Sequence, residues 1–236
     1  MAKQKPIFTA ETSRFFRDLS RNNRKEWMDA NRERYREQVV EPFRVLLDRL
    51  GPVVLRLNPH FDISGRTGTN FSRINRDIRF ARDKSPYRTQ MYLLFSDERA
   101  QVRDPSTPGA GDGQLYVGVT TDAVTAGFRI YGDRKSWLSQ MTAPRAIEQA
   151  KWLEWQTRRL HRKYESYWYS MEKGEWKKNA GWPVRPEEWK RIRGWIVRRK
   201  MRPPAATRAD FPDQVVRIFR ELLPLYRFTS SAEWKP

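Results

Sequence analysis

The chain has 236 residues, of which 47 are basic and 28 acidic, giving a formal charge of +19, with no cysteine and two histidines. That length can bury a sizeable core, the aromatic content argues against disorder, and the lack of cysteine excludes disulfides and thiolate metal sites and suggests a reducing, cytoplasmic compartment. His60 and His161 are far apart, which weighs against a histidine zinc site; no run approaches the roughly 18 apolar residues of a membrane span, and MAKQKPIFTAETSRFF has no apolar leader segment.

The first elements read as helices. Thr9 is a plausible N-cap, followed by an apolar stripe of Phe15, Phe16 and Leu19. The "RNN" at 21–23 breaks that helix. A second starts near Lys25, with Trp27, Met28, Asn31 and Tyr35 toward one face. Pro42 should kink it or start a new helix. Gly51-Pro52 is expected to mark a further break.

The middle changes period. "INRDIRF" alternates, with Ile74, Arg76, Ile78 and Phe80 on one side. "YRTQMYLLF" alternates too, and "ARDKSP" between them carries turn residues. Residues 73–95 are therefore expected to be two strands joined by a charged loop. Residues 96–113, rich in Gly and Pro, are expected to form a mobile surface loop. "LYVGVTTDAVTAGFRIYG" predicts two strands around a turn at Thr121-Asp122-Ala123.

Helical spacing returns with Ile147, Ala150, Leu153 and Leu160. Pro186 with two glutamates suggests another helix start. Asp210 is the expected cap of a last helix carrying Phe211, Val215, Phe219 and Leu222. The expected fold is α+β: an antiparallel sheet of at least four strands with N-terminal and C-terminal helices packed on it. The expected organisation is one domain over 1–236, helical at 9–58, with strands at 73–132 and helices at 144–226.

Charge is unevenly placed. Residues 145–202 hold 17 basic and 7 acidic residues and seven of the ten tryptophans. Cations interleaved with rings suit a single-stranded nucleic acid. The competing reading makes Trp152, Trp189 and Trp195 core anchors. In "RRKMR", Arg198, Arg199, Lys200 and Arg202 are the candidate nucleic-acid contacts.

The densest charged run is "RINRDIRFARDKSPYRTQ", residues 73–90, with six basic side chains and two aspartates. Asp77 and Arg79 would share one strand face, and Pro86 restrains Ser85 to extended conformations. Such a cluster can bind a metal-phosphate substrate or do acid–base work. It can also form cross-strand ion pairs that fix register, and the spacing favours the ion pairs.

"FFRDLSRNNRKEWMDANRERYREQVVEPF" followed by "RINRDIRFARDKSPYRTQMYLLF" resembles a widespread bacterial and fungal family known only as a domain of unknown function, number 2461. The residues carrying the resemblance are Asn22, Asn23, Trp27, Tyr35 and Pro42, then Arg76, Asp77, Arg79, Phe80, Asp83, Lys84, Pro86 and Tyr87. The resemblance implies one α+β domain and no particular activity. The basic excess at 145–202 lies outside this signature.

The leading expectation is a cytoplasmic protein that binds an anionic partner, nucleic acid or a phosphorylated small molecule. Arg76, Arg79, Lys84, Tyr87 and Arg88 would form the anion site, with Asp77 and Asp83 orienting the cations. A second reading is a metal-assisted hydrolase of a phosphate-containing substrate, with Asp77 and Asp83 as base or metal ligands. A third is a buried ion-pair network that holds the hairpin. No cofactor, resident metal or membrane partner is expected, and the residues do not fix an oligomeric state.

Overall fold

In the computed structural model, which describes residues 5–79, 81–99, 113–132, 136–230 and 234–236, α1 spans Ala10–Arg21. Thr9 caps it as expected, its side chain accepting from the Glu11 N–H at 3.2 Å. Phe15, Phe16 and Leu19 are buried along its apolar stripe. Asn22 closes the helix, its side-chain amide donating to the Asp18 carbonyl at 2.9 Å.

Two short helices follow, α2 (Lys25–Ala30) and α3 (Arg32–Tyr35), then a π-helical turn at Arg36–Val40 and α4 (Glu41–Leu57). The π turn has a cause in the sequence. Pro42 has no N–H to give the preceding turn, and the Glu41 N–H reaches back to Arg36 O instead. A second π turn, Leu138–Thr142, precedes Pro144 in the same way, with the Ala143 N–H on Leu138 O. The expected break at Gly51-Pro52 does not occur, for α4 runs through both residues. Leu46, Leu47, Leu50, Gly51 and Val54 are buried on one stripe, and that burial outweighs the one hydrogen bond Pro52 cannot make.

The strands are β1 (Gln90–Phe95), β2 (Gln114–Thr120), β3 (Val124–Tyr131), β4 (Glu165–Glu172), β5 (Glu175–Ala180) and β6 (Ile192–Met201). They form a six-stranded antiparallel sheet in the order β1-β2-β3-β6-β4-β5, with helices N-terminal and C-terminal to it, so the α+β expectation holds. The remaining helices are α5 (Ala143–Glu148), α6 (Ala150–Leu160), α7 (Pro186–Arg191) and α8 (Phe211–Ser230). Among the described residues no helix is long and apolar enough to cross a membrane.

Two expectations are corrected. The span 144–226 is not uniformly helical, because β4, β5 and β6 lie within it. "ESYWYSME" and "EWKKNA" are joined by Lys173-Gly174, both at positive φ, the backbone a two-residue hairpin requires. Residues 73–79 make a single β-bridge, Asn75 with Tyr87, rather than a strand, and β1 begins at Gln90 rather than Tyr87. Phe80 and most of the expected loop 96–113 lie outside the described residues.

The chain divides into two compact units. The first comprises Met1–Phe95, Val117–Thr125 and Met201–Arg217, and the second Ser96–Tyr116, Ala126–Lys200 and Ile218–Pro236. The first unit's core holds Phe8 edge-on to Phe43 at 5.1 Å and to Phe211 at 6.0 Å. In the second, Trp195 meets Trp189 at 5.3 Å and Phe128 at 5.7 Å. Trp189 and Trp195 are thus core anchors, while Trp152 is half-buried and stacks on Phe228 at 4.9 Å.

Candidate functional site

Residues 74–88 form a hairpin-like excursion of the first unit. Arg76 N donates to Pro86 O at 2.8 Å and Arg88 N to Ile74 O at 2.7 Å, around an antiparallel bridge between Asn75 and Tyr87. Exposure alternates from Arg73 to Arg79, with Ile74, Arg76 and Ile78 half-buried. The period of two is therefore real, though the ladder is short. Beyond the bridge the aspartates take over the backbone: Asp77 accepts from Arg79 N at 3.2 Å and Asp83 from Ser85 N at 2.9 Å. Such local bonds compete with strand pairing, and Pro86 has no donor to offer it.

The charged side chains largely serve the hairpin itself. Arg79 meets Asp77 in a two-bond fork at 3.0 and 2.7 Å. Arg76 pairs with Asp83 and also donates to Ser85 O at 3.1 Å. Lys84 donates to Ile78 O at 3.0 Å. The Ser85 hydroxyl and N–H, with Arg76, hold the Asp83 carboxyl well below the ordinary carboxylate range. The Arg79 guanidinium and N–H likewise lower Asp77. The third reading expected such a network to be buried; the Asp77–Arg79 pair is instead exposed, with side chains 61% and 77% accessible, and the half-buried Arg76 meets an exposed Asp83.

The hairpin is pinned from α1's exit. Asn23 Nδ2 donates to Tyr87 O at 2.9 Å, and Tyr87 N donates to Asn23 Oδ1 at 3.0 Å. Tyr87, expected as an anion contact, is buried. Trp27 and Tyr35 pack on Phe15 at 5.6 and 5.5 Å. Asn23 and Tyr87, both among the residues that carry the family resemblance, make this contact. Of the expected anion contacts, Arg88 is exposed and its guanidinium has no ion-pair or hydrogen-bond partner among the described residues, and the same holds for the side chains of Arg73 and Arg82 nearby in the sequence.

One supporting network gave no signal in the sequence reading. Asn70 is fully buried and donates to Asp62 O at 2.7 Å and Leu94 O at 3.0 Å, while accepting from Gly65 N at 2.9 Å. Asp62, also buried, accepts from the Ser64 N–H and hydroxyl and from Arg66. A "D-x-S" step opening a glycine-rich connector was the available cue.

In the second unit, the β4–β5–β6 register places a set of rings and cations on one sheet face. Tyr169 is paired with Lys178 and with Gly194, Met171 with Trp176, and Tyr167 with Ile196. Tyr169 meets Tyr131 at 6.0 Å, Tyr167 at 5.8 Å and Trp176 at 5.8 Å. Lys178 Nζ lies 4.0 Å and the Arg198 guanidinium 5.1 Å from the Tyr167 ring centre. Arg198 also pairs with Glu165 at 3.1 Å. Arg199, Lys200 and Arg202, the other expected nucleic-acid contacts, are exposed. Among the described residues no three His, Cys, Asp or Glu side chains come together as a metal cradle.

A family model described as "Conserved hypothetical protein (DUF2461)" matches residues 11–228, nearly the whole chain, and the chain belongs to that family. No curated protein matches the chain.

Proposed function

We propose that the protein binds a polyanion, as a cytoplasmic partner of nucleic acid or of another phosphate-rich chain. One observation carries this reading. The hairpin's two carboxylates are engaged by Arg76 and Arg79, so Arg73, Arg82, Lys84 and Arg88 remain as uncompensated charge on an exposed loop. Arginine forks suit bidentate phosphate contacts, and a chain of charge +19 attracts polyanions at long range.

The hydrolase reading draws less support. A general base works best with a pKa near the working pH, and both aspartates are lowered away from it. Their oxygens already accept bonds from Arg79, Arg76 and Ser85.

Heparin-affinity chromatography tests the proposal. Wild-type protein is expected to be retained at physiological salt. The Arg82→Ser/Arg88→Ser variant, folded by circular dichroism, is expected to elute at distinctly lower salt. Elution of the wild type in the flow-through at low salt, or identical elution of the two proteins, would contradict it.

A further inference from the structure

We infer that the β4–β5–β6 face is a platform on which the bases of a single-stranded nucleic acid stack. This rests on the polyanion reading above and narrows it to one class of ligand.

The argument starts from the two faces of these strands. Trp168 and Trp195, directly paired across β4 and β6, are buried at 5% and 0% exposure. Antiparallel sheets commonly keep one face apolar and give the other polar side chains. The opposite face here instead carries Tyr131, Tyr167, Tyr169 and Trp176. Gly194 explains part of that. A Cβ there would come within 2.6 Å of Tyr131 and 3.3 Å of Tyr169, so both rings lie across the β6 backbone and shield it. Shielding does not account for Trp176, which sits on edge strand β5 with 54% of its surface exposed.

Trp176 is not isolated, for its cross-strand neighbour Met171 is also exposed, at 43%, and contiguous exposed apolar surface marks interaction sites. The neighbours of Trp176 indicate which partner. Lys178, two residues along the same strand and on the same face, has no carboxylate partner among the described residues. Lys178 and Arg198 both lie over the ring of the buried Tyr167, which leaves Trp176 and the half-buried Tyr131 and Tyr169 as the rings open to a base. Rings for bases with cations for the backbone are what a sequence-tolerant single-strand site requires. Residues 145–202, with 17 basic against 7 acidic residues, supply the complementary field. A duplex hides its base faces and gains nothing from an exposed indole, and neither does heparin.

The test is fluorescence anisotropy with labelled single-stranded DNA, single-stranded RNA, duplex DNA and heparin. It compares wild type with Trp176→Ala, Trp176→Phe and Lys178→Met. Both positions are exposed on edge strand β5, and circular dichroism is used to check that each variant is folded. Single strands are expected to bind more tightly than duplex. Trp176→Ala should weaken single-strand binding at least about fivefold and leave heparin binding unchanged, while Trp176→Phe retains most of the affinity. If single-strand binding is indifferent to Trp176→Ala while heparin still binds, the platform is overturned and the polyanion reading stands. Failure of every polyanion to bind at low salt overturns both.

Discussion

Asn23 holds the backbone of Tyr87 from both sides, donating to its carbonyl at 2.9 Å and accepting from its N–H at 3.0 Å, across 64 positions of sequence. The pair ties the exit of α1 to the charged hairpin. A side-chain amide can mimic a strand neighbour in this way because it carries one donor and one acceptor side by side. The ring of Tyr87 is buried.

Asn23→Ala should therefore cost about 1–3 kcal/mol, since it leaves a part-buried donor and acceptor unpaired. Asn23→Asp, which keeps the acceptor and loses the donor, should fall between. Urea denaturation with an unchanged slope checks both. Equal stability of Asn23→Ala and wild type would show that the hairpin is held by something else.

The Asp62–Asn70 network should be costlier to break. Asn70→Ala removes three hydrogen bonds inside a fully buried site and strands the groups they satisfied. A loss of more than about 3 kcal/mol is expected, at the severe end for a single substitution. Thermal or urea unfolding would register it.

Acid should act on the same network. Burial raises the Asp62 pKa, but the Ser64 hydroxyl and N–H with Arg66 outweigh it, and the carboxyl ends below its ordinary value. A folded pKa below the unfolded one means that the stability Asp62 lends is full above about 3.9 and is lost as pH falls through the folded value. Asp210, held at about 2 by Arg208 and Gln214, has the same sign. Denaturation midpoints between pH 7 and pH 2 should fall on the acid side, and Asp62→Asn should flatten that limb. A wild-type midpoint that rises on acidification would refute the assignment.

Asp77→Asn separates two readings of the hairpin. The Asp77–Arg79 pair is exposed, so its loss should change stability by no more than about 1 kcal/mol. It also removes one negative charge from beside the Arg79 guanidinium. Polyanion affinity at low salt is therefore expected to rise. A catalytic aspartate would show the reverse, an unchanged affinity with loss of turnover on a phosphate-containing substrate.

Much of this was legible in the chain. The Thr9 cap, the α1 stripe and the β2–β3 pair follow from local chemistry that the structure leaves in force. Gly51-Pro52 misled, because a core stripe overrode the break signal. β4 and β5 were obscured by tryptophans and cations read as a helix, although Lys173-Gly174 carried the hairpin cue. The period of residues 73–79 was right and the element was not, since Asp77 and Asp83 spend their oxygens on nearby N–H groups. The partners of Asn23 and Asn70 lie at Tyr87 and Leu94. Contacts that distant in sequence leave no local trace.

The most direct test of the central claim is the salt dependence of binding to a single-stranded oligonucleotide, compared between wild type and Arg82→Ser/Arg88→Ser. If the uncompensated hairpin cations contact phosphates, the plot of log affinity against log salt should be steep for wild type. Its slope should shrink by about 0.7 for each contact removed. Identical slopes for the two proteins would place the binding charge away from the hairpin and contradict the account.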